Sequence, residues 1–222
     1  MTAIVIASRF GIPVATIRRG GGRLVVQLLP VDGAERTQTG GGSEAELLVH
    51  TEDAHLRTRP DAVVLVGIRN YEAAATTIVL AEDVVQALDP HHLRILQQRR
   101  FVSRLDESYR VGGAAPGDRL VAPVTSVTPP RLRADTAEMA AVPGDHAATR
   151  AWAAFVAMAA AVQHQVVVRP GDVVRLDNHA VMHGRASFCP KELSPSLRRW
   201  VLQLTVTGDV PGAPPLARAR SL

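Results

Sequence analysis

Residues 171–188, GDVVRLDNHAVMHGRASF, contain a β-branched strand (Val173–Asp177), a polar Asp-Asn turn and then a histidine, His183. The next regular segment, RWVLQLTVT (Arg199–Thr207), is again a strand, and no helical periodicity lies between the two. The pair therefore reads as antiparallel. RLVVQLL (Arg23–Leu29), AVVLVGI (Ala62–Ile68) and TTIVL (Thr76–Leu80) are likewise short, apolar or β-branched and bounded by Gly, Pro, Asn or Asp. Strands do not alternate with helices, and no internal repeat is visible. This disfavours a parallel βαβ sheet and predicts a mainly β sandwich or jelly roll with flanking helices.

Two helices are expected, Asp83–Leu88 and a longer one from Ala147 to Gln163 behind Asp145 as N-cap. In the longer one, Trp152, Phe155, Val156, Ala159 and Val162 recur at helical spacing and read as a core face. Residues 99–142 are rich in Arg, Gly, Pro and Thr and show little periodicity beyond RLVAPV, so they read as a lid-like insertion. The Gly-rich stretches Arg18–Arg23 and Thr39–Ser43 join no strand to a helix in phosphate-binding spacing and read as turns. The Pro/Arg-rich residues 211–222 read as a flexible tail. One domain, 1–222, is expected.

Composition narrows the function classes. A chain of 222 residues with 46% hydrophobic residues can bury a core. The formal charge of +4 comes from 25 basic and 21 acidic residues, and the arginines form no stripe with interleaved aromatics, which argues against nucleic acid. Cys189 is the only cysteine, the apolar start lacks the marks of a signal peptide, and the longest apolar run, Ala151–Val168, is too interrupted to span a bilayer. No membrane segment is expected, and the expected compartment is the cytoplasm.

The chemistry concentrates in two places. ELLVHTEDAH (Glu46–His55) ends an apolar run with His50 and Glu52 two residues apart, a spacing that on a strand puts both side chains on one face. With the distant His183 they make a 2-His-1-carboxylate set, which suits Fe(II) because it fills one face of an octahedron and leaves the other open. Arg199, at the start of the next strand, can reach the same place and grip a distal carboxylate with its planar fork. The same three ligands could also hold zinc for hydrolysis, where the arginine has no obvious use. Asp177 and Asn178 read as a turn that supports the loop carrying His183. His55, His91, His92, His146, His164 and His179 read as surface or helix-flanking.

HTEDA, RPDAVVLVGIRN, the Thr-Thr strand, GD…DN…HGRxxF and the RRW strand occur in that order, and together they resemble the clavaminate synthase-like oxygenases of the taurine dioxygenase superfamily. The resemblance runs from about Ile12 to Thr207. It implies a double-stranded β-helix fold, with iron bound by His50, Glu52 and His183. It also implies the 2-oxoglutarate C5 carboxylate held by Arg199 and supported by Thr76, with Thr77 as fallback, and Asp135 facing the substrate. The implied reaction consumes 2-oxoglutarate and molecular oxygen and hydroxylates a free amino acid or an amino-acid-derived intermediate, as in antibiotic pathways. The alternative is a non-catalytic binding module of the same fold. Relatives carry a longer region before His-x-Glu than the 49 residues here, and the resemblance leaves three readings: the start is misassigned, the chain is truncated, or a second copy or another partner covers that side. Gln203 stands where relatives often have a second arginine, which implies weaker cosubstrate binding.

Overall fold

The computed structural model describes residues 2–15, 22–105, 118–190 and 194–208. Its elements are α1 (Thr2–Ala7), β1 (Ile12–Val14), β2 (Val26–Leu28), β3 (Leu47–His50), β4 (Ala62–Arg69), β5 (Ala75–Leu80), α2 (Ala81–Ala87), α3 (Pro90–Leu96) and β6 (Phe101–Ser103). They continue with β7 (Arg119–Val121), β8 (Val124–Val127), β9 (Pro130–Leu132), β10 (Met139–Ala141), α4 (His146–Ala161), β11 (His164–Val167), β12 (Val173–Asp177), β13 (Val181–Arg185) and β14 (Trp200–Thr207).

Two antiparallel sheets form the frame. One runs β1-β14-β4-β12 with β2 also on β14; the other runs β11-β5-β13-β3. β4 is apolar along most of its length because both of its faces are covered. Val63 and Leu65 point inward to meet Ile78, Leu176 and Val201 between the sheets. Val64 and Val66 point outward, where Ala3 and Ala7 of α1 cover them. The outer face of the second sheet, with Val49, Val79 and Met182, packs on α2, α3 and α4 through Val84, Leu96 and Phe155. This is the mainly β jelly roll with flanking helices that the strand pattern predicts.

Asp145 caps α4 by accepting from Ala148 N–H (3.0 Å), and Trp152 stacks on Phe155 in the core (5.2 Å). Residues 99–142 contain more regular structure than their sequence shows. β6 pairs with β7 and β10, β8 pairs with β9, and Phe101, Val121, Val124 and Leu132 are buried in the helix-side core. Residues 106–117 of that segment, and the tail 211–222, lie outside the described residues. Among the described residues, no helix is long and apolar enough to cross a membrane.

One glycine matters to the site. β13 pairs with β3 at His183↔His50 and again at Arg185↔Leu47, with a register shift between them at Gly184. A Cβ on Gly184 would lie 2.4 Å from the Leu47 carbonyl oxygen, so only glycine lets the two strands approach closely enough to set His183 opposite His50.

Candidate metal centre

Residues directly opposite on antiparallel strands have Cβ atoms about 5 Å apart, and His50 and His183 are such a pair, with ring centroids 4.6 Å apart. Nδ1 of His50 lies 2.9 Å from the Leu48 carbonyl. A carbonyl only accepts, so Nδ1 carries the proton and Nε2 keeps the lone pair that a metal ligand needs.

Glu52 reaches the histidines by a different route from the strand alternation expected for it. β3 ends at His50, because Thr51 N–H turns away to the Ala134 carbonyl (2.7 Å), and Asp53 follows in the left-handed region at φ 56°. Glu52 thus sits on a turn, placed by Asn178. Glu52 N–H donates to Asn178 Oδ1 (2.6 Å), while Asn178 Nδ2 donates to the carbonyls of Glu52 (3.0 Å) and Pro60 (2.9 Å). Oε2 of Glu52 then lies 3.4 Å from His183 Nε2, and the ligand atoms of His50, Glu52 and His183 all fall within 4.8 Å of one another. Glu52 is 3% exposed and His183 6%. Among the described residues no other group of His, Cys, Asp or Glu is so arranged.

Two cations, the buried Arg59 and the half-buried Arg133, clasp the turn that carries Glu52. Arg133 donates to the Leu56 carbonyl (2.8 Å). Arg59 donates to the Thr51 hydroxyl (3.0 Å), the Leu132 carbonyl (3.2 Å) and His179 Nδ1 (2.8 Å). Burial and the neighbouring Arg133 charge push the Arg59 guanidinium down to about 9, against the opposing pull of Asp53. It still carries its proton at neutral pH.

The three residues form one wall of a cavity between the sheets. Thr76, Arg185, Arg199 and Gln203 also line it, and residues 38–40 of the Gly-rich loop close one side. Arg199 is 3% exposed, and its Nε has no hydrogen-bond partner among the described residues. Burial and Arg185 push Arg199 down to about 10, with Glu72 opposing. Arg185 is engaged elsewhere: its Nη atoms donate to the carbonyls of Ser43 and Ala45 (3.0 Å each), tying the Gly-rich loop to β13. Thr76 pairs with Arg185 on the inner face, whereas Thr77 pairs with Gly184 and so points to the opposite side of the sheet, which places Thr76 rather than Thr77 in the cavity wall.

Asp135 is the bridge partner of His50, is 8% exposed and lines the cavity. Its Oδ1 also accepts from the N–H groups of Ala137 (2.9 Å) and Glu138 (3.0 Å), so it caps a turn as well as facing the cavity. His55, grouped with the surface histidines by sequence, belongs to the cavity wall instead. His179 bridges Arg59 and Asp61, with its Nε2 3.2 Å from Asp61 Oδ1. Gln203 is the residue whose role sequence reasoning missed: its Nε2 donates to Glu52 Oε2 at 2.6 Å. The only signal was its departure from the family's arginine, which says nothing of where the amide points.

The sequence pattern of the "Taurine catabolism dioxygenase TauD, TfdA family" matches residues 2–205. An enduracididine beta-hydroxylase from Streptomyces hygroscopicus is 31% identical over 93% of this chain and 66% of its own length. Among solved structures, an asparagine oxygenase in complex with Fe(II), 3-hydroxyasparagine and succinate superposes with a TM-score of 0.82 at 26% identity, over 92% of this chain and 64% of that one. The non-heme iron oxygenase OrfP in complex with Fe and alpha-ketoglutaric acid gives 0.83 at 27% identity, over 95% and 64%. The chain thus spans slightly under two thirds of the length of these relatives. The matched span includes all three candidate ligands and Arg199, and the chain belongs to the TauD/TfdA dioxygenase family.

Proposed function

We propose that this chain is an Fe(II)- and 2-oxoglutarate-dependent oxygenase, a single domain that hydroxylates an unactivated carbon of a free amino acid or an amino-acid-derived natural-product intermediate. The observation that carries this reading is the meeting of His50, Glu52 and His183 on one wall of a cavity that also presents the buried guanidinium of Arg199. Two imidazoles and one carboxylate fit a divalent first-row metal. Iron bound there supplies the oxidative decarboxylation of 2-oxoglutarate to succinate and carbon dioxide, with one oxygen atom of O₂ going to succinate and the other to the substrate.

The protein's own residues do the positioning. Arg199 receives the C5 carboxylate with two parallel N–H bonds, which offsets the burial that lowers its own pKa, and Thr76 adds a hydroxyl on the same wall. Asn178 fixes the backbone of Glu52, Gln203 its carboxylate, and the Leu48 carbonyl the His50 tautomer. Asp135, beside His50, offers a carboxylate to an ammonium or guanidinium group of the substrate. The amino-acid relatives support this substrate class. The cavity wall around the three ligands would orient one carbon of the substrate toward the metal they hold.

The test is an anaerobic titration of the purified protein with Fe(II) and 2-oxoglutarate, followed in the visible for the weak metal-to-ligand charge-transfer band of a chelating 2-oxo acid. A band that is absent in His183→Ala supports the reading. A folded protein with no band favours the non-catalytic binding module.

A further inference from the structure

We infer that Gln203 is a positioning residue of the metal centre, holding the Glu52 carboxylate oxygen that lies beside His183. The inference rests on the oxygenase reading above and goes beyond it.

Gln203 and Arg199 are four residues apart on the inward-facing side of the chain entering and forming β14, and both line the cavity. Four residues of extended chain span about 13 Å, so the two side chains serve different ends of the cavity. Gln203, paired with Leu65 of β4, is 4% exposed. Its Nε2 donates to Glu52 Oε2 at 2.6 Å, the same oxygen that lies 3.4 Å from His183 Nε2. Oε2 is therefore the oxygen that faces His183, and Gln203 reaches it across 151 residues of sequence from the facing wall. A carboxylate only accepts, so the amide must present its nitrogen, and the orientation is forced by chemistry.

A neutral amide orients the carboxylate by one hydrogen bond and leaves its negative charge intact. Asn178 fixes the backbone of Glu52 but touches neither carboxylate oxygen. Gln203 supplies the restraint on the side chain that Asn178 does not.

The test compares wild type, Gln203→Met, which keeps the volume and removes the donor, and Gln203→Leu, which removes it with a second apolar side chain of similar size. Each is titrated anaerobically with Co(II) followed by its visible absorption, alongside thermal unfolding of the metal-free protein. The expected result is metal affinity about 10- to 100-fold weaker in both Gln203→Met and Gln203→Leu. A merely structural role would lower the unfolding temperature and leave Co(II) affinity of the folded protein unchanged. Wild-type affinity in Gln203→Met overturns the inference while leaving the oxygenase reading intact. If Gln203→Met does not fold, wild-type affinity in Gln203→Leu overturns it equally. Failure of wild type itself to bind Co(II) overturns the oxygenase reading and the inference together.

Discussion

Asn178 grips Glu52 by both of its backbone polar groups, accepting from its N–H at 2.6 Å and donating to its carbonyl at 3.0 Å. One side chain on the β12–β13 turn therefore fixes a residue on the turn after β3, and the candidate ligand Glu52 is tied to the hairpin that carries His183. Replacing Asn178 by Ala leaves a buried N–H and two carbonyls without that partner. The expected cost is about 1–3 kcal/mol of stability, read by urea unfolding of metal-free protein. Metal affinity of the folded fraction should fall as well, because the Glu52 turn is freed. Unchanged stability and unchanged Co(II) binding would show that the turn holds without Asn178.

Arg199 is buried, has a pKa lowered to about 10 by burial and by Arg185, and faces the cavity with Nε unpaired among the described residues. Removing it as Ala should raise the 2-oxoglutarate requirement by roughly 10- to 150-fold, the worth of about 1.5–3 kcal/mol for hydrogen bonds to a charged group. Co(II) affinity should stay near wild type, since Arg199 forms no part of the ligand triad. Arg199→Lys keeps the charge but loses the fork and should fall between the two. A variant lacking Arg199 with an unaltered 2-oxoglutarate requirement would remove the clamp from the reading.

The legible parts of this fold are those whose burial is written locally. β4 and β14 are long and apolar because both faces of each are covered, and the Trp152–Phe155 face of α4 repeats at helical spacing behind a side chain that caps it. β6 through β10 are three- and four-residue strands, too short for alternation to emerge from a Pro- and Arg-rich background. α3 carried a local signal that went unread: Asp89 accepts from His91 N–H at 2.7 Å with Pro90 at the first helical position. At the site, the residue types and their separation announced His50, Glu52 and His183. The turn that delivers Glu52, the inward direction of Gln203 and the place of His55 in the cavity wall depend on contacts between distant segments, which no local pattern encodes.

Acid should weaken the protein through the clasp beneath Glu52. Burial pushes the Asp61 carboxyl up, but the bonds from Gly208 N–H (2.7 Å), the Thr207 hydroxyl (2.9 Å) and His179 together outweigh it and hold it below its ordinary range. A folded pKa below the unfolded one contributes stability above the unfolded value, about 3.9, which is lost as pH falls through the folded value. His179 acts in the same direction: burial and Arg59 lower its pKa, so below about 6.5 the unfolded chain takes the proton first. Asp61→Asn should therefore cost stability at pH 7, at most about 1 kcal/mol for a carboxylate this exposed. The difference from wild type should vanish at the acid edge, as urea unfolding across pH would record. A difference that grows on acidification would reverse the assigned sign.

Asp135 does two jobs that two substitutions can separate. Its Oδ1 caps the turn at Ala137 and Glu138, and its position beside His50 offers charge to the cavity. Asp135→Asn keeps an oxygen for the cap and removes the charge, so its unfolding free energy should stay close to wild type. Asp135→Ala removes both and should lose about 1 kcal/mol through the cap. If the carboxylate recognises an ammonium or guanidinium group, both variants should bind basic amino acids about 10-fold or more weakly, the worth of a charge-assisted bond. Binding would be measured by titration calorimetry in the presence of metal and 2-oxoglutarate. Should Asp135→Asn bind basic amino acids as wild type does while Asp135→Ala is merely less stable, Asp135 is a turn cap and the basic group of the substrate is met elsewhere in the cavity.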